Sequence, residues 1–371
     1  MPSDDARYLR ECLHLAAPLR GVTFPNPLVG CVIVRKDKIV GQGVHRGVGT
    51  PHAEAVALAQ AGKQAKGSTL YVNLEPCCHF GNTPPCTQAI IKAGIARVVF
   101  SVKDPNPLVK NGNSERILKK AGIKVTVGVL EKEARILNEK FLYFYEKGKT
   151  FVSLKLAASL DGKIATATGN SKWITGVPAR AFVQLLRKES DAIAVGANTV
   201  LNDDPELLIR DGVPKKRLQP LRIIFDSNLK IPLSAKVLHM KGKGNTLILT
   251  TNDAPGEQIR AFEHLGVEVH VLKKDRAGHV DLEKAVEFLT KRQVTSLLIE
   301  GGGEIAAAAL NAHIVTKLYY FIAPKIIGGR HAMPAVGGDG VLKVAEALKL
   351  NNMTTESIGE DLLVQAYPEH A

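Results

Sequence analysis

The chain has 371 residues, 45% of them apolar, and a formal charge of +13, of which the first 147 residues carry +9. That length exceeds a typical single domain and points to two, while no apolar run approaches a membrane-spanning length. The basic balance contains no Arg-rich tract and no aromatic-studded basic strand, so nucleic acid and membrane are not expected as partners, and a small phosphorylated substrate is.

The N-terminus, MPSDDARYLRECLHLAA, has early acids and a helical period from Asp5 to Ala17, not a basic region followed by an apolar block. It does not read as a secretory signal, and a cytoplasmic location is expected. Strands follow at Leu28–Val34 and Lys38–Val44, then a helix in TPHAEAVALAQAG, whose start Thr50 and Pro51 are expected to supply. A strand at Ser68–Leu74, a loop and a helix at Cys86–Ala93 come next. Strand Ala96–Val102, helix Ser114–Ala121, strand Ile123–Val129 and one long helix at Glu131–Glu146 complete the first half. This reads as an α/β layering on one central sheet. KGKT (147–150) breaks the pattern and marks the boundary, giving domains 1–147 and 148–371.

The second half restarts with FVSLKLAAS and continues with strands near Asp191–Gly196, Leu221–Asp226, Thr246–Thr251, Val267–Leu272 and Ser296–Glu300. Helices fall near Pro178–Lys188, Gly256–Leu265 and Asp281–Arg292. Two late strands, Lys317–Ala323 and Leu362–Pro368, lack a crossover helix between them, which implies an antiparallel edge on a mainly parallel sheet.

Five cysteines, an odd number, do not suggest a disulfide framework, and three of them, Cys77, Cys78 and Cys86, lie within ten residues. Such clustering in a reducing compartment favours a metal or catalysis. Cys86 begins a helix, whose positive end favours a thiolate. Cys86, with Cys77 or Cys78, and His52 make three ligands, and three leave a tetrahedral position for water, the arrangement of catalytic zinc. Cys78 and His79 keep a four-ligand structural site open at this point. Glu54, two residues beyond His52, suits a proton carrier beside a metal that lowers the pKa of water. An H-x-E and a P-C…C describe the zinc deaminases of nucleobases, although here eight residues separate Cys77 from Cys86. In the second half, Gly301–Gly303 follow a strand and open a helix, where bare backbone amides face an anion. They do not form the G-x-G-x-x-G turn of a dinucleotide-binding Rossmann fold.

The strings PNPLVGCVIV, HAEAVAL, LEPCCHFGNTPPC and DPNPLV closely resemble the deaminase half of the bifunctional riboflavin-biosynthesis deaminase/reductase family. LKLAASLDGKIATATGNSKWITG, GANTVLNDDPELLIR, IEGGGEIAAAAL and FIAPKIIGG resemble its reductase half, so the resemblance covers nearly the whole chain. It implies a cytidine-deaminase-like three-layer domain followed by a dihydrofolate-reductase-like domain, with zinc and NADPH as cofactors. The metal ligands would be His52, Cys77 and Cys86, and the acid/base Glu54. Asn26, His45, His79 and Asn106 would surround a phosphorylated pyrimidine, and Lys155 would reach into that same site. In the second domain the resemblance assigns Ala157, Trp173, Thr199, Asp203, Gly302 and Gly303 to the cofactor. It assigns Ser171, Arg187, Leu207, Arg210 and Glu300 to the substrate, with Arg187 and Arg210 suited to clamp a phosphate. VKNGNSERI departs from the Gly-rich run that the family carries after DPNPLV. A homo-oligomer is expected of an α/β pair of this size.

Overall fold

A computed structural model describes residues 4–81, 84–210, 219–240 and 245–369. Asn82 and Thr83 of the cysteine loop lie outside the described residues. The chain divides into two compact units, Met1–Gly148 and Lys149–Ala371.

The first unit is built on five strands: β1 (Gly30–Arg35), β2 (Lys38–Val44), β3 (Thr69–Leu74), β4 (Arg97–Val102) and β5 (Lys124–Val127). Their order is β2-β1-β3-β4-β5, with β1 antiparallel to both neighbours and β3, β4 and β5 parallel. Helices α1 (Asp4–Ala16), α2 (Ala53–Ala61), α3 (Cys86–Lys92), α4 (Pro107–Lys110), α5 (Ser114–Lys120), α6 (Glu131–Leu137) and α7 (Glu139–Lys147) surround it. Residue alternation along each strand sorts them into two layers. Ile33, Leu70, Val72 and Phe100 pack against Ala53 and Ala57 of α2, Ile90 of α3 and Leu118 of α5. Val32, Val34, Tyr71 and Val99 meet Tyr8, Leu9 and Cys12 of α1 on the other face.

The long helix expected at Glu131–Glu146 is two helices broken at Asn138. Its side chain binds both polar groups of Leu28, accepting from the backbone N–H at 2.7 Å and donating to the carbonyl at 3.0 Å. A buried peptide group needs such partners, and here an asparagine leaves the helix to supply them.

The second unit holds strands β6 (Phe151–Ser159), β7 (Lys163–Ala165), β8 (Ala192–Gly196), β9 (Leu221–Phe225), β10 (Thr246–Thr251), β11 (Glu268–Leu272), β12 (Ser296–Glu300), β13 (Lys317–Ala323), β14 (Met333–Pro334), β15 (Leu350–Ile358) and β16 (Asp361–Pro368). Its helices are α8 (Val177–Lys188), α9 (Ala197–Asp203), α10 (Gly256–His264), α11 (Leu282–Lys291) and α12 (Gly303–Asn311). Nine strands form one sheet in the order β11-β10-β9-β8-β12-β6-β13-β16-β15, while β7 and β14 pair separately. The sheet is parallel from β11 to β13, and β16 and β15 are antiparallel additions. The sequence signals the antiparallel edge but not β15, which is exposed along nearly its whole length and so shows no alternation of apolar residues. Leu297 and Ile299 of β12 face α11 and α12, whereas Leu298 packs with Ala179 and Leu186 of α8.

Candidate active site

Two glycines position the start of α2. A Cβ on Gly41 would lie 2.3 Å from the Ala57 carbonyl oxygen, and one on Gly43 would lie 2.1 Å from that of Ala53. Only glycine lets the helix lie this close to β2. His52 occupies the N-cap position, and Glu54 falls in the first turn. Thr50 does not cap the helix as expected, because its hydroxyl donates to the Gly47 carbonyl at 2.7 Å and closes the preceding turn instead.

The cysteine loop brings Cys77 and Cys86 to the same place. His52 Nδ1 lies 3.2 Å from Cys86 Sγ and 3.4 Å from Cys77 Sγ, and the three ligand atoms all fall within 4.8 Å of one another. Zinc bond lengths at a tetrahedral angle separate nitrogen from sulfur by about 3.6 Å, so the donor set and its spacing fit that ion. Cys78 stands apart, with Sγ directed to the Val109 carbonyl at 3.6 Å. His79 is likewise outside the triplet, and among the described residues no other group of three or more such side chains has metal-binding spacing.

The electrostatics suit a cation. The Cys86 thiol donates to Cys77 and, with His52, holds the Cys77 pKa down at about 4 against burial. Cys86 keeps that proton and is pushed well up, by Cys77 and then by burial. A divalent ion would take both as thiolates. Burial pushes the Glu54 carboxyl up to about 7, with the charge of Cys77 adding to the effect. Glu54 is only 4% exposed.

A cavity of about 140 Å³ opens beside this cluster, lined by Asn26, His45, His52, Cys77 and His79 among others. His45 Nδ1 lies 3.2 Å from the Pro51 carbonyl, which must accept its proton. Nε2 is then the acceptor for the Asn26 amide at 2.9 Å, leaving the Asn26 oxygen unused in that pair. Burial lowers the His45 pKa and keeps the ring neutral. His79 Nδ1 is buried with no hydrogen-bond partner among the described residues. Asn106 does not line this cavity; its side-chain oxygen caps α4 by accepting from the Leu108 N–H at 3.0 Å.

Lys155 belongs to the second unit, on β6, with Glu300 of β12 directly across in register. Its charged neighbours are Glu300 and Arg187, and burial lowers its pKa. The Arg187 guanidinium binds Glu300 at 2.7 and 3.0 Å and donates to the Leu208 carbonyl at 2.8 Å. Three of the five guanidinium N–H groups are thus engaged within the protein, and two remain for a ligand. The Leu207 side chain is committed, buried in the core with Ile224 and Val237, so only its backbone remains for a ligand.

The other residues assigned to the second unit sit on its loops and element ends. Thr199 on α9 approaches the glycine run, its hydroxyl 3.2 Å from where a Cβ on Gly301 would stand. Gly302 caps α12, where a Cβ would make only ordinary contact with Ile164 at 3.9 Å, whereas a Cβ on Gly303 would lie 2.6 Å from the Pro334 carbonyl oxygen. Ala157 packs toward Ala179 and Phe321. Trp173, Asp203 and Arg210 are exposed, and Ser171 is half-buried.

Sequence reasoning missed Gly41 and Gly43, although their spacing of two in KIVGQGV, which places both on one strand face, was a readable signal.

Residues 2–102 match the family model for the cytidine and deoxycytidylate deaminase zinc-binding region, and residues 150–364 match that for the RibD C-terminal domain. The riboflavin biosynthesis protein RibD of Aquifex aeolicus is 44% identical over 97% of each chain. That of Escherichia coli K12 is 40% identical over 96% of this chain and 98% of its own. Among solved structures, Acinetobacter baumannii RibD superposes with a TM-score of 0.87 at 36% identity, covering 99% of each chain. The Thermotoga maritima diaminohydroxyphosphoribosylaminopyrimidine deaminase/5-amino-6-(5-phosphoribosylamino)uracil reductase superposes at 0.80 and 33% identity, covering 98% of this chain and 99% of its own. A zinc-type deaminase centre on the first unit and a reductase fold on the second, matched end to end by these relatives, place the chain in the RibD family of bifunctional riboflavin-biosynthesis deaminase/reductases.

Proposed function

We propose that the first unit removes the 2-amino group of 2,5-diamino-6-(5-phosphoribosylamino)pyrimidin-4-one by hydrolysis, and that the second reduces the ribosyl chain of the product to ribityl. The observation that carries the first step is the His52, Cys77 and Cys86 triplet with buried Glu54 two residues beyond His52. Those three residues would hold zinc, which when bound supplies a Lewis acid that makes water acidic near neutral pH. Glu54 takes the proton of the attacking water and delivers it to the departing amine, so C2 exchanges nitrogen for oxygen and ammonia leaves. Glu54, buried beside the triplet in the first turn of α2, is placed to do both. His45, kept neutral, orients the Asn26 amide, and His79, which lines the cavity, faces the pyrimidine.

In the second unit Ala157, Trp173, Thr199, Asp203, Gly302 and Gly303 would hold NADPH, which supplies a hydride to C1′. Glu300 and Lys155 face the reacting sugar, with Arg187 fixing Glu300, while Ser171, Arg210 and the Leu207 backbone hold the rest of the phosphorylated substrate. Fixing donor and acceptor in contact accounts for much of the rate.

The test is Glu54→Gln in the full chain. It should abolish ammonia release from the diamino substrate yet leave NADPH oxidation intact with the deaminated intermediate. Retained deamination would remove Glu54 from the mechanism.

A further inference from the structure

Residues 171–176, which carry Trp173, have no regular structure of their own. Three side chains from three elsewhere-anchored segments hold four consecutive residues of it. The Lys325 ammonium donates to the carbonyls of Trp173 at 2.8 Å and Ile174 at 2.7 Å. Arg180 of α8 donates to the Thr175 carbonyl at 2.7 Å and lays its guanidinium 4.6 Å from the centre of the Trp173 ring. Asp361, at the start of β16, accepts from the Gly176 N–H at 2.7 Å.

Lys325 is itself well anchored. Its N–H donates to the Ala323 carbonyl at 2.7 Å, and its carbonyl accepts from the Leu160 N–H at 2.8 Å. Asp161 then ties down the residues beyond, accepting from the N–H groups of Ile327 at 3.0 Å and Gly328 at 2.7 Å. The indole gains little from this investment in packing, since Trp173 remains 61% exposed. A large apolar ring held rigid but uncovered is arranged for a ligand.

We infer that Lys325 is a positioning residue of the reductase: together with Arg180 and Asp361 it sets the Trp173 ring in place to receive a planar ring of the dinucleotide. This rests on the assignment of Trp173 to the cofactor. A charge-assisted bond to each of two carbonyls restricts both the backbone position and the rotation of the segment. Preorganisation of this kind raises affinity without touching the ligand.

Trp173 is the single tryptophan of the chain, so emission excited at the red edge of indole absorption, where the seven tyrosines do not absorb, reports on it alone. NADP⁺ is the probe, because it does not absorb where tryptophan emits and any quenching reports contact. In the wild-type chain NADP⁺ should quench the emission with the affinity found by calorimetry. Lys325→Met keeps the stem and loses the donors. It should lower the emission anisotropy of the free protein and weaken NADP⁺ binding by about tenfold or more, the effect of losing a charge-assisted bond. Lys325→Arg, which retains two donors, should stay within about threefold of wild type. Arg180→Gln is an independent second variant with the same expected direction. An unchanged melting transition of the second unit, which carries both substitutions, controls for folding. Wild-type anisotropy and affinity in Lys325→Met, with the wild-type emission still responding to NADP⁺, overturns the positioning role alone. Wild-type protein that binds NADP⁺ by calorimetry with unmoved emission overturns the cofactor assignment of Trp173, and the inference falls with it.

Discussion

Glu300→Ala leaves the Arg187 guanidinium and the Lys155 ammonium without the carboxylate they share. Side-chain exposure in the ion pair is 13% for Arg187 and 10% for Glu300, so water can replace little of what is removed. Breaking one partner of a buried pair costs about 3–5 kcal/mol. In a unit of this size each kcal/mol moves the melting temperature by about 2–4 °C, so the transition of the second unit should fall by about 6–20 °C. Glu300→Gln keeps the shape and one acceptor but not the charge, and should fall between. The double variant Arg187→Ala/Glu300→Ala removes both charges and should lose less than the sum of the single losses, with a coupling of about 0.5–3 kcal/mol. Acid has a related effect. Burial alone would raise the Glu300 pKa, but Arg187 and Lys155 together hold it below its ordinary value. The pair's stabilisation is therefore complete above the free carboxyl pKa of about 4.3 and is lost as pH falls through the lower folded value. Scanning calorimetry of the full chain is the assay. A loss under about 1 kcal/mol in Glu300→Ala, which is typical of an exposed pair, would refute the reasoning, as would strict additivity in the double variant.

Three other outcomes are expected. Cys86→Ser should lose the zinc of about one ion per chain that metal analysis is expected to find in the wild type, together with deamination but not reduction; normal metal content would remove Cys86 from the ligand set. Gly43→Ala should destabilise the first unit by about 1–3 kcal/mol through overpacking and lower its zinc content, because the added Cβ meets backbone only 2.1 Å away; unchanged melting and metal retention would show that this contact does not set the seat of α2. Asp161, held at a pKa of about 2 by the Ser159 hydroxyl and then the Ile327 and Gly328 N–H groups, should make Asp161→Asn less stable than wild type near neutral pH. Because the folded value is depressed, that difference should be complete above about pH 4 and shrink as pH falls toward about 2; urea midpoints that diverge further on acidification would contradict it.

Much of the first site was legible because its chemistry is local. His52 and Glu54 are fixed relative to each other by one helix turn, and Cys86 advertises itself by opening α3. Reading which cysteine completes the set needed space: Cys77 and Cys78 are neighbours in the chain, yet only Cys77 Sγ turns toward His52, while Cys78 turns to α4. The second site was less legible. Arg187, Glu300 and Lys155 are separated by tens of residues or more, and nothing local states that Arg187 binds Glu300 and Leu208. Leu207 looks like any loop leucine until the core closes over it.

The sequence by itself determined the alternation of strands and helices, the break near KGKT and the residue types of the candidate metal site, because periodicity, turn residues and ligand chemistry act over a few positions. Tertiary structure alone decided that Asn138 leaves its helix to bind Leu28, that β15 joins the sheet without an apolar pattern, and that Lys325 reaches Trp173 from 152 positions away. Each of these depends on a polar backbone group finding its partner in three dimensions, and hydrogen-bond demand of that kind leaves no trace in the spacing of residues along the chain.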